Sequence, residues 1–422
     1  MVSSRRSTPR TSTGRFPTPR SRCSRPPATC RRSKSRRHCS PKWASSSRPS
    51  NGIMSSRSGL DAPFDAGRGA HYRDVFHRFA RIESPDLASP MYAELAYGIS
   101  LDRELLELAA QKRRHQPAPN MLFGAVQYLL LSGGGYAKHP LAAHYPIVSR
   151  AERPMEPAFP AFRDFCLSHR EDILDLIRTH RTQTNVVRRC TCLLPVFSIV
   201  QRESGLPLAL IDIGASAGLN LNVDRYRYRY LRGGREEAHW GSSEARVELE
   251  AELRGGGAMP PLADNLIIWF RGGIDLNPID LRNEQELRWL RALIWPEHVE
   301  RHQRLIDAAD ELVRSPIDLR AGDAAELLPR MIADTPADAG LTVYSTVALY
   351  QIPTAGRERI FQTLAETSMN RPVWLVTLEL RLEDIDDTQE PSLAITRFTN
   401  GELSRQLLAR SSPHGWWIEW AA

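Results

Sequence analysis

The sequence predicts an α/β protein in which an all-helical lobe precedes a parallel sheet. Three observations carry that prediction. Between His71 and Ser204 the apolar residues recur at helical spacing, interrupted by glycine and proline clusters. After Leu208, short apolar runs alternate with helical stretches, the pattern of parallel strands joined by right-handed crossovers. The first of those runs, Leu208–Ile213, breaks into Gly214-Ala215-Ser216-Ala217-Gly218, the composition of a strand entering a tight turn and a helix. The expected organisation is a basic tail over residues 1–60, a helical lobe over 70–205 and a sheet domain over 206–422.

The tail dominates the charge. Of 422 residues, 56 are Lys or Arg and 49 are Asp or Glu, a formal net charge of +7. Residues 1–53 hold 14 of the basic residues and no acid, spread among serine and proline, and such a composition builds no core. It reads as a disordered tail, or as residues upstream of a translation start at Met54. Without it, 42 basic residues face 49 acidic ones, a net charge of −7. Nonspecific adsorption to nucleic acid is then a property of the tail, and no specific nucleic-acid partner is expected of the globular region. No run has the length of a secretory apolar core or a membrane span, so a cytoplasmic protein without a membrane partner is expected. Cys23, Cys30 and Cys39 lie in the tail, while Cys166, Cys190 and Cys192 lie in apolar helical sequence. Their spacing gives neither a disulfide framework nor a zinc pair, so no metal is expected.

Helical periodicity starts at Val75-Phe76, continues through Met91–Ala110 and Asn120–Leu131, and covers Ala161–His180 and Thr184–Val200. Strands are expected at Leu208–Ile213, Ile267–Leu276, Ile317–Ala321, Leu341–Leu349 and Val373–Leu380. Helices Glu284–Ile294, Glu297–Arg314, Ala324–Ile332 and Arg357–Glu366 separate them. Leu393–Phe398 and Trp416–Trp420 read as an added edge pair. The stretch 226–265, with alternating Val247, Leu249, Ala251 and Leu253, reads as an inserted hairpin or small subdomain.

The turn after the first strand supports two chemistries. As Asp212-x-Gly214-x-Ser216-x-Gly218 it resembles the first motif of class I, Rossmann-like methyltransferases. That resemblance implies that the acid and the glycine turn receive the amino-acid end of S-adenosylmethionine. As Gly214-x-Ser216-x-Gly218 it also matches a hydrolase nucleophile elbow. The dinucleotide fingerprint fits less well, since it requires glycine at Ser216 and Leu219. The serine is a departure from the methyltransferase pattern, and it serves either as a ligand contact or as a helix cap. An elbow normally follows earlier strands, whereas this turn follows a long helical region, so the order favours the methyltransferase reading. Asp275 falls at the end of the second strand, where a carboxylate accepts ribose hydroxyls. Asp323, in Ala321-Gly322-Asp323-Ala324, either bounds the adenine or caps the next helix.

A longer set of segments is more specific than the turn. Asn120–Leu131, His139-Pro140-Leu141-Ala142-x-x-Tyr145-Pro146, Thr182-Gln183-Thr184-Asn185, the Asp212 turn, Gly273–Pro278, Trp289–Glu297 and His414-Gly415 together resemble the bacterial family DUF2332 over about residues 70–420. The resemblance implies a methyltransferase-like fold and supplies no reaction.

Further polar residues are candidates for substrate contact. Arg181, Asn185 and Arg188 or Arg189 share a helical flank if the helix starts early enough, giving either an anion-recognition surface or a solvated basic stripe. Asn220 and Asp224 are four apart, and Asp224 can orient or deprotonate a nucleophile beside Tyr226, Tyr228 and Tyr230, which otherwise simply pack. Trp289, Trp295, Pro296, Glu297 and Arg301 read as a structural anchor or a lid, with Arg301 four residues after Glu297 on the exposed flank of the next helix. His298 and His302 have a metal-compatible spacing, with helix solvation as the simpler role. The functional expectation is S-adenosylmethionine-dependent methyl transfer to an unknown small molecule. In it Asp212, Gly214, Ser216, Gly218, Asp275 and Asp323 hold the cofactor and Asn185 and Asp224 act on the substrate. The alternatives are a serine hydrolase using Ser216, Asp323 and His414, or a binding module without catalysis.

Overall fold

A computed structural model describes residues 64–84, 89–315, 317–380 and 390–421. The basic tail and its candidate start at Met54 lie outside the described residues. The described residues belong to one compact unit, Leu60–Ala422. Among them no helix is long and apolar enough to cross a membrane.

The lobe is built from α1 (Ala66–Arg78), α2 (Pro90–Leu101), α3 (Arg103–Ala110), α4 (Ala118–Leu131), α5 (Phe159–Ser168) and α6 (Arg170–Thr179). Local chemistry sets several starts. The side chains of Asp65, Ser89 and Asp102 each accept an amide of the first turn, satisfying donors that a helix leaves bare. A shared core around Phe76, Phe79, Tyr92, Phe123 and Phe162 holds the helices together, and it also takes Trp289, Leu293 and Trp295 from the sheet half. Two buried connections reinforce that junction. Gln127 Nε2 donates to the carbonyls of Arg291, Ala292 and Ile294, and Glu297 accepts the Met91 amide at 2.8 Å and the Ser89 hydroxyl. The Trp-Pro-Glu segment is thus an anchor between the halves.

The helix α7 (Cys190–Ser204) begins later than its periodicity suggests. Residues 181–186 are not helical, because Asn185 and Gln183 spend their side chains on the sheet half instead of on a helical flank. The expected helical alignment of Arg181, Asn185 and Arg188 therefore does not form.

The sheet has eleven strands among the described residues, in the order β3-β2-β4-β11-β10-β9-β8-β7-β1-β5-β6. Five neighbouring strands run parallel: β6 (Asp318–Ala321), β5 (Ile268–Asp275), β1 (Leu208–Ile213), β7 (Gly340–Thr346) and β8 (Val373–Glu379). All six residues of β1 are buried because Leu208 and Leu210 face a core with α7 and α9 (Val299–Arg314), while Ile211 and Ile213 face one with α10 (Ala324–Ala333) and α11 (Thr354–Ser368). The chain leaves β1 toward β5 and β6, then returns to place β7 on the opposite side. The order reverses between β1 and β7, the position at which open α/β sheets hold ligands.

Within residues 226–265, β2 (Arg227–Arg232) and β3 (Arg235–Trp240) form an antiparallel hairpin, and with β4 (Glu248–Arg254) they extend the same sheet, β4 lying parallel to β11 (Trp417–Trp420). One expectation about the rest of the sheet is corrected. Residues 393–398 and 416–420 do not pair with each other. The strand β10 (Glu402–Ser411) lies between β9 (Ser392–Thr399) and β11, antiparallel to both. Its first six residues are exposed, which removes the alternation that would have marked it as a strand.

Candidate functional site

The turn after β1 has the backbone its composition predicts. Gly214, Ser216 and Gly218 all have positive φ, at 82°, 56° and 82°. Serine in this region costs about 1 kcal/mol, and the surroundings hold it there. The Asp275 carboxylate, at the end of β5, accepts the Ser216 amide through Oδ2 at 2.9 Å. Its Oδ1 accepts the Asn277 amide at 2.8 Å and Gln183 Nε2 at 3.2 Å. The amides of Gly214 and Ala215 donate to the Ile274 carbonyl, and Gly218 donates to Ala215. Leu219 closes the set by donating to Asn185 Oδ1 at 3.0 Å. A Cβ at Gly214 would meet Ala348 Cβ at 2.3 Å, and one at Gly218 would meet Ile317 Cδ1 at 2.1 Å. Glycine is favoured at both positions by the positive φ, and at Gly214 also by the fixed Ala348 Cβ.

Asp212 and Tyr344 are register partners on adjacent strands β1 and β7 and project to one face. Asp212, Tyr344 and Ser216 are buried, and Asp212 Oδ1, Tyr344 Oη and Ser216 Oγ make no hydrogen bond of regular geometry, although the Tyr344 hydroxyl lies close enough to the Asp212 carboxyl to favour its ionised form. Burial pushes the Asp212 carboxyl up to about 8, so a large fraction stays neutral at physiological pH. Farther along the strand ends, Glu379 accepts from Ser345 Oγ and from the amides of Ala348 and Leu349. Burial is the largest influence on it and raises its pKa.

The remaining candidates are placed as follows. Asp224 forms a bidentate pair with Arg271, at 2.7 and 2.6 Å, and lies against its guanidinium instead of facing an open space. Asp323 is the N-cap of α10, its Oδ1 accepting the Ala325 amide at 2.8 Å. Gly322, just before it, donates its amide to the Asp275 carbonyl, so the ends of β5 and β6 lie together. Asn185 and Asp275 are thus brought to the turn, from opposite directions. Ser216, Asp323 and His414 do not form the hydrogen-bonded series that hydrolysis needs: Ser216 Oγ has no partner, and Asp323 caps a helix.

Beside the turn lies a basic cavity. Asn185, Arg188, Arg301, Arg304, His414 and Trp416 line it, with leucine side chains from α8 (Glu284–Ala292) and α9 on its apolar side. The Arg188 guanidinium stacks on Trp416, 3.9 Å from the ring centroid. Arg189, buried behind it, donates to the carbonyls of Pro413 and Thr346 at 2.9 and 3.1 Å, tying the cavity to the end of β7. Burial, and then mutual repulsion with neighbouring arginines, pulls Arg188 and Arg301 down to about 10; both remain charged at neutral pH. Burial and the same cations hold His414 down to about 3, which keeps it neutral and unsuited to act as a base. Arg301, expected on the exposed flank of its helix, instead lines this cavity, and Arg304 carries no signal in the sequence, because charged residues on an amphipathic helix look alike whether they face water or a cavity.

The fold and this site define an α/β protein with a helical cap, whose polar crevice sits at the reversal point of a mixed sheet. The chain belongs to the family described as an uncharacterized protein conserved in bacteria, DUF2332, whose model matches residues 73–420. No curated protein matches it.

Proposed function

We propose that this chain binds a small polar molecule in the crevice at the carboxyl ends of β1 and β7, beneath the 182–188 segment. The observation that carries the proposal is the group of buried polar side chains with hydrogen-bonding capacity left over there: Ser216 Oγ is bare, and Asp212 and Tyr344 have little besides each other. Buried polar atoms are almost always hydrogen-bonded, and leaving one bare costs about 1–3 kcal/mol. A ligand with donors and acceptors of its own supplies those bonds. The test is a thermal-shift panel of polar metabolites on the wild type and on Tyr344→Phe and Asp212→Asn. Stabilisation that either substitution reduces supports the site. A panel in which no compound stabilises the wild type, or in which both variants respond as it does, refutes it.

Methyl transfer from S-adenosylmethionine is a second reading, favoured by the strand order β6-β5-β1-β7-β8 together with the placement of Asp275 beside the turn. Asp275 would hold the ribose and Asp323 would border the adenine. The turn as folded fits the amino-acid end of that cofactor poorly. Its amides at Gly214, Ala215, Ser216, Gly218 and Leu219 already donate within the protein, and Ile317 fills the space at Gly218. No reaction step is assigned through the cofactor for that reason. Isothermal titration with S-adenosylmethionine and S-adenosylhomocysteine decides: binding that is lost in Asp275→Ala with the fold intact supports the second reading, and absence of binding by folded wild type removes it.

A further inference from the structure

We propose that the cavity between the 184–188 segment, α9 and the 413–416 turn is an oxyanion site, taking the phosphate or carboxylate group of a small molecule. It deepens the ligand-binding proposal above by naming the ligand's chemistry, and it rests on different atoms. Arg188, Arg301 and Arg304 line the cavity with Asn185 and His414. Among the described residues none of these arginines forms an ion pair with a carboxylate. Each is held by a neutral partner: Arg188 by the Trp416 ring, Arg301 by donating to His298 Nδ1 at 3.1 Å, and Arg304 by donating to the Glu248 carbonyl at 3.1 Å. The side chains are thereby positioned by neutral contacts, while Glu250 and Glu300 act on Arg188, and Glu300, Glu248 and Glu250 on Arg304, only from beyond ion-pair distance. A guanidinium carries five N–H donors in a planar fork, and these contacts leave most of them for bidentate bonds to an oxyanion.

The helix geometry adds to this. Arg301 is the third residue of α9, a helix of 16 residues, and Arg304 lies one turn later. The amino end of a helix carries partial positive charge, so arginines there are unfavourable on their own and favour an anion in their midst. Arg188 and Arg301 each feel the repulsion of neighbouring arginines, and an anion between them relieves it.

Size and surroundings narrow the ligand. The cavity measures about 40 Å³, room for an anionic head group and far below the several hundred Å³ of a pocket that encloses a whole cofactor. A more open recess of about 470 Å³ shares Arg188 and Arg304 with it, and its other walls carry Glu248, Glu250, Glu300 and Gln303. Those acceptors suit hydroxyl or ammonium groups. The ligand class is a small phosphate ester or carboxylic acid whose body bears hydroxyl or amino groups.

The test is isothermal titration of the full chain with inorganic phosphate and, separately, with malonate, in a buffer free of other polyvalent anions. We expect saturable binding at a Kd of about 1 mM or tighter. Arg301→Gln and Arg304→Gln should each weaken it about tenfold to hundredfold, the loss that follows removal of a charged hydrogen-bond donor. Arg282→Gln, outside the cavity, should leave it unchanged. Tighter binding of phosphate assigns a phosphate ester, and tighter binding of malonate assigns a carboxylic acid. Should Arg301→Gln fail to fold, Arg188→Gln carries the same comparison. No heat with either probe from folded wild type, or equal affinity in the arginine variants, overturns the proposal. Phosphate binding without S-adenosylmethionine binding leaves this site standing while removing the methyl-transfer reading.

Discussion

The Asp275 carboxylate accepts the backbone amide of Ser216 at 2.9 Å, so the acid that ends β5 holds the turn that ends β1 in its left-handed conformation. The two segments lie 59 residues apart in sequence. One carboxylate thus joins them and organises the mouth of the crevice.

Removing that carboxylate should loosen the turn. Asp275→Ala is expected to lower stability by about 1–3 kcal/mol, since the amides of Ser216 and Asn277 both lose a charged acceptor. Asp275→Asn, which keeps one acceptor oxygen, should lose less. Urea denaturation measures both, and equal stability of Asp275→Ala and wild type would contradict the clamp.

Gly218 and Ile317 should behave as a coupled pair. Gly218→Ala adds a methyl group where Ile317 Cδ1 already sits, at a positive φ of 82°, and should cost about 1–3 kcal/mol. In an Ile317→Ala background the steric part of that cost disappears while the backbone part remains. A double-mutant cycle reads the difference, and strict additivity would show that the two side chains do not meet.

Asp224 should act through Arg271. With both side chains mostly buried, at 17% and 15% exposure, Asp224→Asn strands a guanidinium and is expected to cost about 1–3 kcal/mol. Arg271→Met together with Asp224→Leu should recover part of that loss. A direct catalytic role for Asp224 would instead give an inactive protein of unchanged stability, once an activity is in hand.

Stability should fall with rising pH because of Asp212. Its folded pKa of about 8 lies above the unfolded value of about 3.9. Below the unfolded value both states are protonated and nothing is lost. Between the two values the unfolded chain releases the proton and gains free energy that the folded chain does not, up to about 1.4 kcal/mol per pH unit. Denaturation midpoints compared between pH 5 and pH 8 should show the decline in wild type and a flatter profile in Asp212→Asn. Identical profiles would place the ionisation elsewhere.

The sequence by itself determined the class of fold, the strand and tight turn that start the sheet and the positions of β1, β5, β6, β7 and β8, though the segment after the turn, Leu219–Arg225, is 3-10 helix broken at Asn222. Those features are local: a fully buried strand is an uninterrupted apolar run, and a left-handed turn needs small residues. Family membership was also legible, because it rests on short segments in a fixed order. Tertiary structure alone decided the rest. The pairing of β4 with β11 joins strands whose registered residues are more than 160 apart, and β10 has no alternation on its exposed half. Asn185 was singled out as part of a helical flank, yet it reaches the turn from an extended segment whose direction no local period encodes. The arginine cavity depends on Arg188 meeting Arg301 and Arg304 from a different element. Charges that converge across a fold leave no mark in the spacing along the chain, since the Coulomb interaction depends on distance in space.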